Sequence, residues 1–310
     1  ATFFHRNAAA EYLIAIIPFG WYLAHLADTR RKRISYTTIT SICCAYLVFT
    51  RCRGAWIGIG VASLVVWLIY RRVAGLKNPR LRPFRKWISP TIAVVIVLAA
   101  FLPDRISTPG SQHFDEKKDS ALAALTSIAD GSGHRGRLSL WAHTVTMSLD
   151  HPLLGVGLGN WEYVYPEYAR GDQVNVNASP RRPHNDFLWI LSETGVVGLA
   201  AFLGFLFFVF RSGFNALSSP SSRPLAAACL VVVLAHLGDG LFNFPRERIT
   251  PAFLFWFSAG GLLRLDPRQA RPEVGRWGLA LAGLLLLATT YVTVNRLNYD
   301  VHHLKVYRAE

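Results

Sequence analysis

Long, unbroken apolar runs are the feature of this sequence that most restricts its fold. A helix needs roughly 20 apolar residues to cross about 30 Å of hydrocarbon. Candidate spans that meet or approach this length occur at residues 8–26, 34–50, 54–70, 87–103, 187–210, 225–242, 251–263 and 277–294. Only 17% of the 310 residues are charged, against about 25% in typical soluble domains. The sequence therefore excludes an ordinary soluble enzyme and predicts an all-α membrane protein with about eight transmembrane helices.

The basic residues fall mainly in alternate loops between these spans. Lysine and arginine are dense at residues 28–33 and 71–86, and they recur at 211–223 and 264–276. Under the positive-inside rule these four loops are cytoplasmic. The net charge of +14 would also suit a nucleic-acid-binding protein. Because the membrane topology accounts for much of that charge, no nucleic-acid partner is predicted.

The other connections, and both ends of the chain, are then predicted to face outward. The longest connection, residues 104–185, has eight Lys and Arg against nine Asp and Glu. It therefore lacks the excess of Lys and Arg that is typical of cytoplasmic loops. We expect transmembrane helices at 1–103, a mostly helical outer loop domain at 104–185, transmembrane helices again at 186–294, and an outer tail at 295–310. Because the chain starts on the outer side without a signal sequence, we also expect upstream helices in a longer protein.

Helices are predicted in the outer loop at about 119–129 and 134–149, followed by a glycine-rich turn at 153–160 and an aromatic helix. The turn is superficially similar to a dinucleotide-binding fingerprint, but no βαβ unit surrounds it and the third glycine has the wrong offset. A tight turn on the membrane surface is favoured over cofactor binding. The four cysteines form no CxxC and no Cys/His metal spacing. No cofactor, metal or disulfide is therefore predicted.

Three basic residues on the predicted outer side are candidates for an anion site. Arg53 lies between the second and third spans, Arg137 lies on the second outer helix, and His184 lies where the fifth span begins. Pro183 suits the first turn of that span, whose free N–H groups make a positive end. Guanidinium groups match phosphate oxygens, and backbone amides complete such a site. The alternative for each arginine taken alone is an interfacial residue whose side chain reaches the membrane surface.

Three ionisable residues inside the predicted spans are secondary candidates, because a charge in lipid usually faces protein or a cavity. Glu193 lies in the fifth span, where pairing with an arginine is favoured over catalysis. His236 and Asp239 are three residues apart at the outer end of the sixth span. They either line the same cavity as the basic residues or join a hydrogen-bond network between helices, which is the favoured interpretation.

Four motifs, in a fixed order, give the sequence a family resemblance. They are Cys52-Arg53-Gly54-Ala55-Trp56-Ile57-Gly58, Gly136-Arg137-Leu138-Ser139-Leu140-Trp141, Pro152-Leu153-Leu154-Gly155-Val156-Gly157 and His184-Asn185-Asp186-Phe187-Leu188-Trp189-Ile190-Leu191-Ser192-Glu193-Thr194-Gly195. With the long outer loop between two apolar spans, they resemble the O-antigen ligase and polymerase family of bacterial inner membranes. The likeness extends over about residues 3–263. Cys52 stands where the family often has a serine.

The resemblance implies a multi-pass, metal-independent glycosyltransferase of the GT-C type, active on the periplasmic side of the bacterial inner membrane. It implies a glycan donor on undecaprenyl pyrophosphate and an acceptor hydroxyl, with lipid A-core as the first-choice acceptor. It also implies that the protein contacts membrane lipids. The motif residues of the family map onto Arg53 and Arg137, as clamps on the pyrophosphate, and onto His184. Asn185 and Trp141 are expected to contact substrate as well. His184 either takes the acceptor proton or binds the anion, and direct displacement predicts inversion at the anomeric carbon.

Two kinds of alternative stay open. Within the family, the same motifs suit an oligosaccharyltransferase that modifies pilin or another protein, or an O-antigen polymerase. Outside the enzymes, an anion or bicarbonate transporter would use Arg53, Arg137 and Glu193 to line a conduction path. The long outer loop and the lack of an evident inverted repeat in the sequence argue against the transporter.

Overall fold

The computed structural model describes residues 6–74, 137–169 and 180–268, and beyond them only the isolated positions 280, 283, 284 and 287. Every regular element in the three described stretches is helical, which confirms the prediction of an all-α membrane protein. The α-helices there are α1 (Arg6–Leu26), α2 (Arg30–Phe49), α3 (Arg53–Ala74), α4 (Arg137–Asp150), α5 (Trp161–Ala169), α6 (Asp186–Ser218), α7 (Arg223–Gly240) and α8 (Ile249–Leu265). A short 3₁₀ helix, Pro245–Glu247, precedes α8.

Six of the predicted spans correspond to helices in the described residues. By length and composition, α1, α3, α6 and α7 can cross a membrane, and α8 is a shorter apolar helix. The predicted second span is helical as α2, which begins with a basic run and is less apolar than those four. The predicted outer helix at 134–149 and the aromatic helix after it correspond to α4 and α5. The predicted span at 87–103, the helix at 119–129 and most of the span at 277–294 lie outside the described residues.

Helix α7 lies at the centre of the described bundle, where it packs against α1, α3, α6 and α8. Its sequence explains this position, because apolar residues surround the helix on all sides instead of forming one stripe. Most of its buried side chains are small or β-branched, which lets neighbouring helices approach closely. They include Ala226, Ala228, Cys229, Leu230, Val232, Val233 and Ala235.

Glycines bring α3 and α7 into backbone contact. A Cβ atom added at Gly58 would lie 2.6 Å from the Ala235 carbonyl oxygen, and one added at Gly238 would lie 2.9 Å from the Gly58 Cα. Gly54, Gly58 and Ala62 recur every fourth residue of α3, the small-residue spacing that allows close helix packing in membranes. A larger side chain at Gly58 would therefore force the two helices apart.

Helix α6 is broken at Gly195, whose φ of 65° and ψ of −168° are accessible almost only to glycine. The predicted fifth span did not include this break. A break leaves backbone N–H and C=O groups without partners in the helix, which is costly in a membrane. The glycine-rich turn supplies the partners through four backbone hydrogen bonds: Val156 N–H to Ser192 O (2.9 Å), Gly157 N–H to Glu193 O (2.9 Å), Val196 N–H to Pro152 O (2.8 Å) and Val197 N–H to Leu153 O (3.3 Å).

The turn and the break fit together without space for added side chains. A Cβ atom at Gly155, where φ is 67°, would lie 2.4 Å from the Glu193 carbonyl carbon. One at Gly195 would lie 2.2 Å from the Leu153 carbonyl oxygen. Two motifs that are distant in the sequence, the glycine-rich turn and the start of α6, are therefore one packed unit.

We expect Gly195→Ala to lower the free energy of unfolding by at least about 2 kcal/mol. Strain in this backbone region costs about 1–3 kcal/mol by itself, and the new methyl group would also collide with the Leu153 carbonyl. Unfolding of the purified protein in detergent measures the change. Gly204→Ala is the matched control on the same helix, because nothing lies within 4 Å of a Cβ atom there. Equal stabilities of the two variants would contradict the role of the break.

Candidate active site

Asp239 is the centre of a polar cluster at the end of α7. Its carboxylate is fully buried, its Oδ1 accepts a hydrogen bond from Asn243 Nδ2 at 2.6 Å, and the Cys52 Sγ lies 3.9 Å from the same oxygen. Its Oδ2 has no hydrogen-bond partner among the described residues. The charges of Arg248 and Arg137 both act on this carboxylate. Such compensation is needed because removing a charge from water is costly.

Arg53, the first predicted clamp residue, begins α3 between two residues that touch the Asp239 cluster. On one side, Cys52 Sγ accepts a hydrogen bond from Asn243 Nδ2 at 3.4 Å. Burial raises the pKa of the Cys52 thiol, so the sulfur stays protonated. On the other side, a Cβ atom added at Gly54 would lie 2.7 Å from Asp239 Oδ1. The carboxylate thus occupies the space that a side chain at position 54 would need, and α3 starts against this end of α7.

Arg137, the second predicted clamp residue, begins α4, a helix that packs against α6. Its charge acts on Asp239. One turn later, the indole Nε1 of Trp141 donates a hydrogen bond to the Pro183 carbonyl at 2.8 Å, and its ring lies 6.4 Å from the Phe242 ring. The indole N–H of Trp141 therefore holds the chain that leads into α6, and its predicted substrate contact stays a prediction.

His184 has a φ of 54°, a region that residues other than glycine rarely adopt. Its ring lies edge-on to the Phe244 ring, with 5.0 Å between the centroids. Both chain neighbours are fixed, because the Pro183 carbonyl binds Trp141 and Asn185 caps α6. Strained backbone persists where surrounding contacts hold it and is concentrated at functional sites. The backbone strain at His184 is therefore held by contacts on both sides, and the role of this residue stays a prediction.

Asn185 sets the start of α6. Its Oδ1 accepts hydrogen bonds from the backbone N–H groups of Phe187 and Leu188 at 3.0 and 3.1 Å, and the helix begins at Asp186. The prediction that Pro183 lies in the first turn is therefore wrong, because the capping side chain lies two residues later in the sequence. Because the Asn185 Oδ1 already accepts two backbone hydrogen bonds, the predicted substrate contact of this residue would involve its amide nitrogen.

The segment 243–248 joins α7 to α8 and is fixed to the residues around the start of α6. The guanidinium group of Arg182 forms a bidentate ion pair with the Glu247 carboxylate. The backbone N–H of Arg246 donates to Asp186 Oδ2 at 3.3 Å, and the Arg246 Nε lies 3.9 Å from Asp186 Oδ1. These contacts hold the segment beside His184.

The ring of Phe244 lies among three cationic or aromatic side chains. The guanidinium groups of Arg182 and Arg248 lie 5.1 and 5.2 Å from its centroid, and the His184 ring lies on its edge. Arg248 also forms a salt bridge of 3.0 Å with Glu11, which is fully buried in α1. Sequence reasoning missed this group. Two signals could have found it: arginines in a loop predicted to face outward, and a carboxylate inside an apolar span.

Glu193 has a partner that the sequence did not indicate. Its Oε1 accepts the backbone N–H of Trp161, the first residue of α5, at 3.3 Å. A carboxylate is stabilised at a helix N-terminus by the free N–H groups there. The predicted pairing of Glu193 with an arginine is not found in the described part of the chain. The break in α6 explains the difference, because it brings the glycine-rich turn and the start of α5 to this side chain.

His236 and Asp239 have different surroundings. His236 Nδ1 forms a hydrogen bond of 2.9 Å with the Val232 carbonyl, and the residue lines a partly open, mainly apolar cavity. The other residues that line the cavity are Asp186, Phe187, Ile190, Phe202, Leu237, Gly240, Pro245, Arg246, Ala252, Phe255 and Trp256. Asp239 instead joins the hydrogen-bond network with Asn243 and Cys52. The sequence suggested one hydrogen-bond network for both residues. In the structure that network contains Asp239 and links α7 to the start of α3, whereas His236 bonds to a carbonyl of its own helix.

Each of the three predicted catalytic residues is linked to the Asp239 end of α7 through a flanking residue, through its charge or through Phe244. The residues flanking Arg53 touch Asp239 or its partner, and the charge of Arg137 acts on the same carboxylate. His184 contacts Phe244, a few residues further along the chain. Two guanidinium groups and an imidazole can bind an anion and accept a proton. Within the described residues, no group of three or more His, Cys, Asp or Glu is arranged to hold a metal ion.

Comparison with known proteins adds independent information. A family model described as O-antigen ligase matches residues 38–203, which is more than half of the chain and includes all four motifs. A protein of Rickettsia conorii, named as a candidate polysaccharide ligase, is 26% identical over 100 residues. Those residues are 31% of this chain and 24% of that protein, so the chain spans about a quarter of the relative that it matches.

We expect Asn185→Ala to lower the free energy of unfolding by about 1 kcal/mol, because two N–H groups of α6 lose their acceptor. Asn185→Ser is the matched control, since serine also caps helices well and should restore most of the stability. Denaturant or thermal unfolding in detergent separates the two variants. If the alanine variant is as stable as the serine variant, the side chain does not act as the cap.

Proposed function

The chain belongs to the O-antigen ligase family, and from this premise we propose that it transfers a glycan from undecaprenyl pyrophosphate to an acceptor hydroxyl. In this proposal the first-choice acceptor is lipid A-core, and the reaction takes place on the periplasmic face of the bacterial inner membrane. Family membership supports glycan transfer in general, and the apolar helices support a multi-pass membrane enzyme.

The observation that carries the proposal is that each predicted residue is linked to one end of α7. The residues flanking Arg53 touch Asp239, the charge of Arg137 acts on Asp239, and His184 contacts Phe244. A lipid pyrophosphate leaves with concentrated negative charge, and fixed cations stabilise charge best where it develops. Guanidinium groups suit this task because their paired N–H donors match phosphate oxygens. The buried carboxylate of Asp239 supports the proposal, since the charge of Arg137 acts on it.

The proposed reaction is a direct displacement. The oxygen of the acceptor hydroxyl attacks the anomeric carbon while the bond from that carbon to the pyrophosphate oxygen breaks. The pyrophosphate takes the bonding electrons, and Arg53 and Arg137 stabilise its growing charge. His184 accepts the proton of the hydroxyl as a general base. Attack from the side opposite the leaving group inverts the anomeric configuration.

Several packing contacts support the proposed roles by restricting where these residues lie. Gly54 allows the start of α3, and with it Arg53, to approach the α7 carboxylate closely. The hydrogen bond from Trp141 to the Pro183 carbonyl fixes the residue before His184. Geometry held in advance lowers the reorganisation needed in the transition state.

We expect Arg53→Ala and Arg137→Ala each to reduce the transfer rate by about 10²–10³-fold, because each removes a donor from the developing anion. His184→Ala should reduce the rate by about 10²–10⁴-fold, the usual contribution of a general base. The assay uses purified protein in detergent, a glycan on undecaprenyl pyrophosphate, and lipid A-core as acceptor, with EDTA present. Product linkage determined by NMR reports whether the anomeric centre is inverted.

Arg72→Ala is the matched control for Arg53→Ala, because Arg72 is an exposed arginine at the opposite end of the same helix. It should transfer at the wild-type rate. Wild-type rates in all three site variants would contradict the assigned residues. If glycan were transferred only to a protein, the acceptor in the proposal would have to be changed to a protein. If only the donor glycan were lengthened, the acceptor would have to be changed to a growing glycan. Anion uptake by proteoliposomes without transfer to any acceptor would contradict the enzyme itself.

A further inference from the structure

We infer that Arg248 is a further anion-binding residue of this site, which contacts the phosphates of the lipid-linked donor, and that Glu11 positions its guanidinium group. The inference rests on the proposed function, because it assigns a third arginine to the same leaving group. Neither residue lies in the four sequence motifs or in the stretch matched by the family model.

The guanidinium group of Arg248 has hydrogen-bond donors that the described protein does not use. Its Nε lies 3.0 Å from Glu11 Oε2, but neither oxygen of Glu11 accepts a hydrogen bond, and no other described acceptor takes one from this guanidinium. The Arg248 side chain is 22% exposed, so part of the group is accessible. Arg182 is different, since two of its donors are occupied by Glu247. Arg248 therefore combines a fixed position with donors available to a ligand.

Glu11 explains how the position is fixed. A carboxylate that is fully buried in an apolar helix is strongly unfavourable unless a cation compensates it, and Arg248 is the residue paired with it. The Phe244 ring lies 5.2 Å from the guanidinium carbon, which restricts a second side of the group. A cation held on two sides loses little freedom when it binds an anion.

The location of Arg248 connects it to the residues already assigned. Its charge acts on Asp239, as does the charge of Arg137. The Phe244 ring that contacts Arg248 also contacts His184. Arg248 thus acts on the same carboxylate as Arg137, one of the predicted clamp residues, and contacts the same ring as the predicted base. A pyrophosphate between these residues would meet Arg248 as well, and its several oxygens match several guanidinium groups.

The test compares a charge-swapped pair with a neutral pair. Removing Arg248 alone would leave Glu11 uncompensated and destabilise the protein, so Glu11→Gln with Arg248→Gln removes both charges together. Glu11→Arg with Arg248→Glu keeps an ion pair but places the carboxylate where the donor phosphates are expected. Arg264→Ala, an exposed arginine at the other end of α8, is the control. Unfolding temperature, transfer kinetics and the affinity for inorganic pyrophosphate by titration calorimetry are measured for each.

We expect both double variants to transfer about 10²-fold more slowly and to bind pyrophosphate about tenfold or more weakly, while Arg264→Ala matches the wild type. The swapped pair should unfold near the wild-type temperature, because it keeps an ion pair. If the role of Arg248 is purely structural, the swapped pair should transfer glycan faster than the neutral pair. If Arg248 binds the anion, the swapped pair should transfer as slowly as the neutral pair. Recovery in the swapped pair, or unchanged pyrophosphate affinity in the neutral pair, would overturn the inference. If the wild type transfers no glycan, the proposed function fails, and the pyrophosphate affinities still decide the role of Arg248.

Discussion

The close contact between α3 and α7 is the interaction on which most of this structure depends. In a membrane the hydrophobic effect does not drive helices together, so association relies on close packing and on polar contacts between helices. Gly58 and Gly238 let the two backbones touch, and Gly54 extends the contact to Asp239. The same contact brings the start of α3, where Arg53 lies, to the polar end of α7. Packing and site geometry therefore have one origin here.

A second constraint is that backbone groups inside a membrane must have hydrogen-bond partners. The break of α6 at Gly195 interrupts the hydrogen-bond pattern of the helix, and the turn around Gly155 provides hydrogen-bond partners for the backbone groups left over. Two stretches of sequence that look like separate family motifs are thus halves of one backbone structure. The break also places Glu193 at the start of α5, where its carboxylate binds the Trp161 N–H. This hydrogen bond gives a structural reason for an ionisable residue inside an apolar span.

Charge in this protein serves two purposes that the net value of +14 does not distinguish. Arginines and lysines in alternate loops account for the predicted topology. In a smaller set around the Asp239 end of α7, Arg246 compensates a buried carboxylate, that of Asp186, and Arg182 contacts an aromatic ring, that of Phe244. Arg248 does both, through Glu11 and Phe244. Counting basic residues identifies the first purpose, whereas only the position of each side chain identifies the second.

The sequence by itself determined the helical membrane fold and the approximate limits of the six spans that the described residues include. It also singled out the motif residues Arg53, Arg137 and His184, because apolar length and local motifs are properties of contiguous residues. It did not determine the break at Gly195, the start of α6 at Asp186, or the pairing of Glu11 with Arg248. Glu11 and Arg248 are more than two hundred residues apart, and their contact follows from how α1 and the segment after α7 pack together. Such contacts depend on which faces of the helices meet, and the tertiary structure alone decides that.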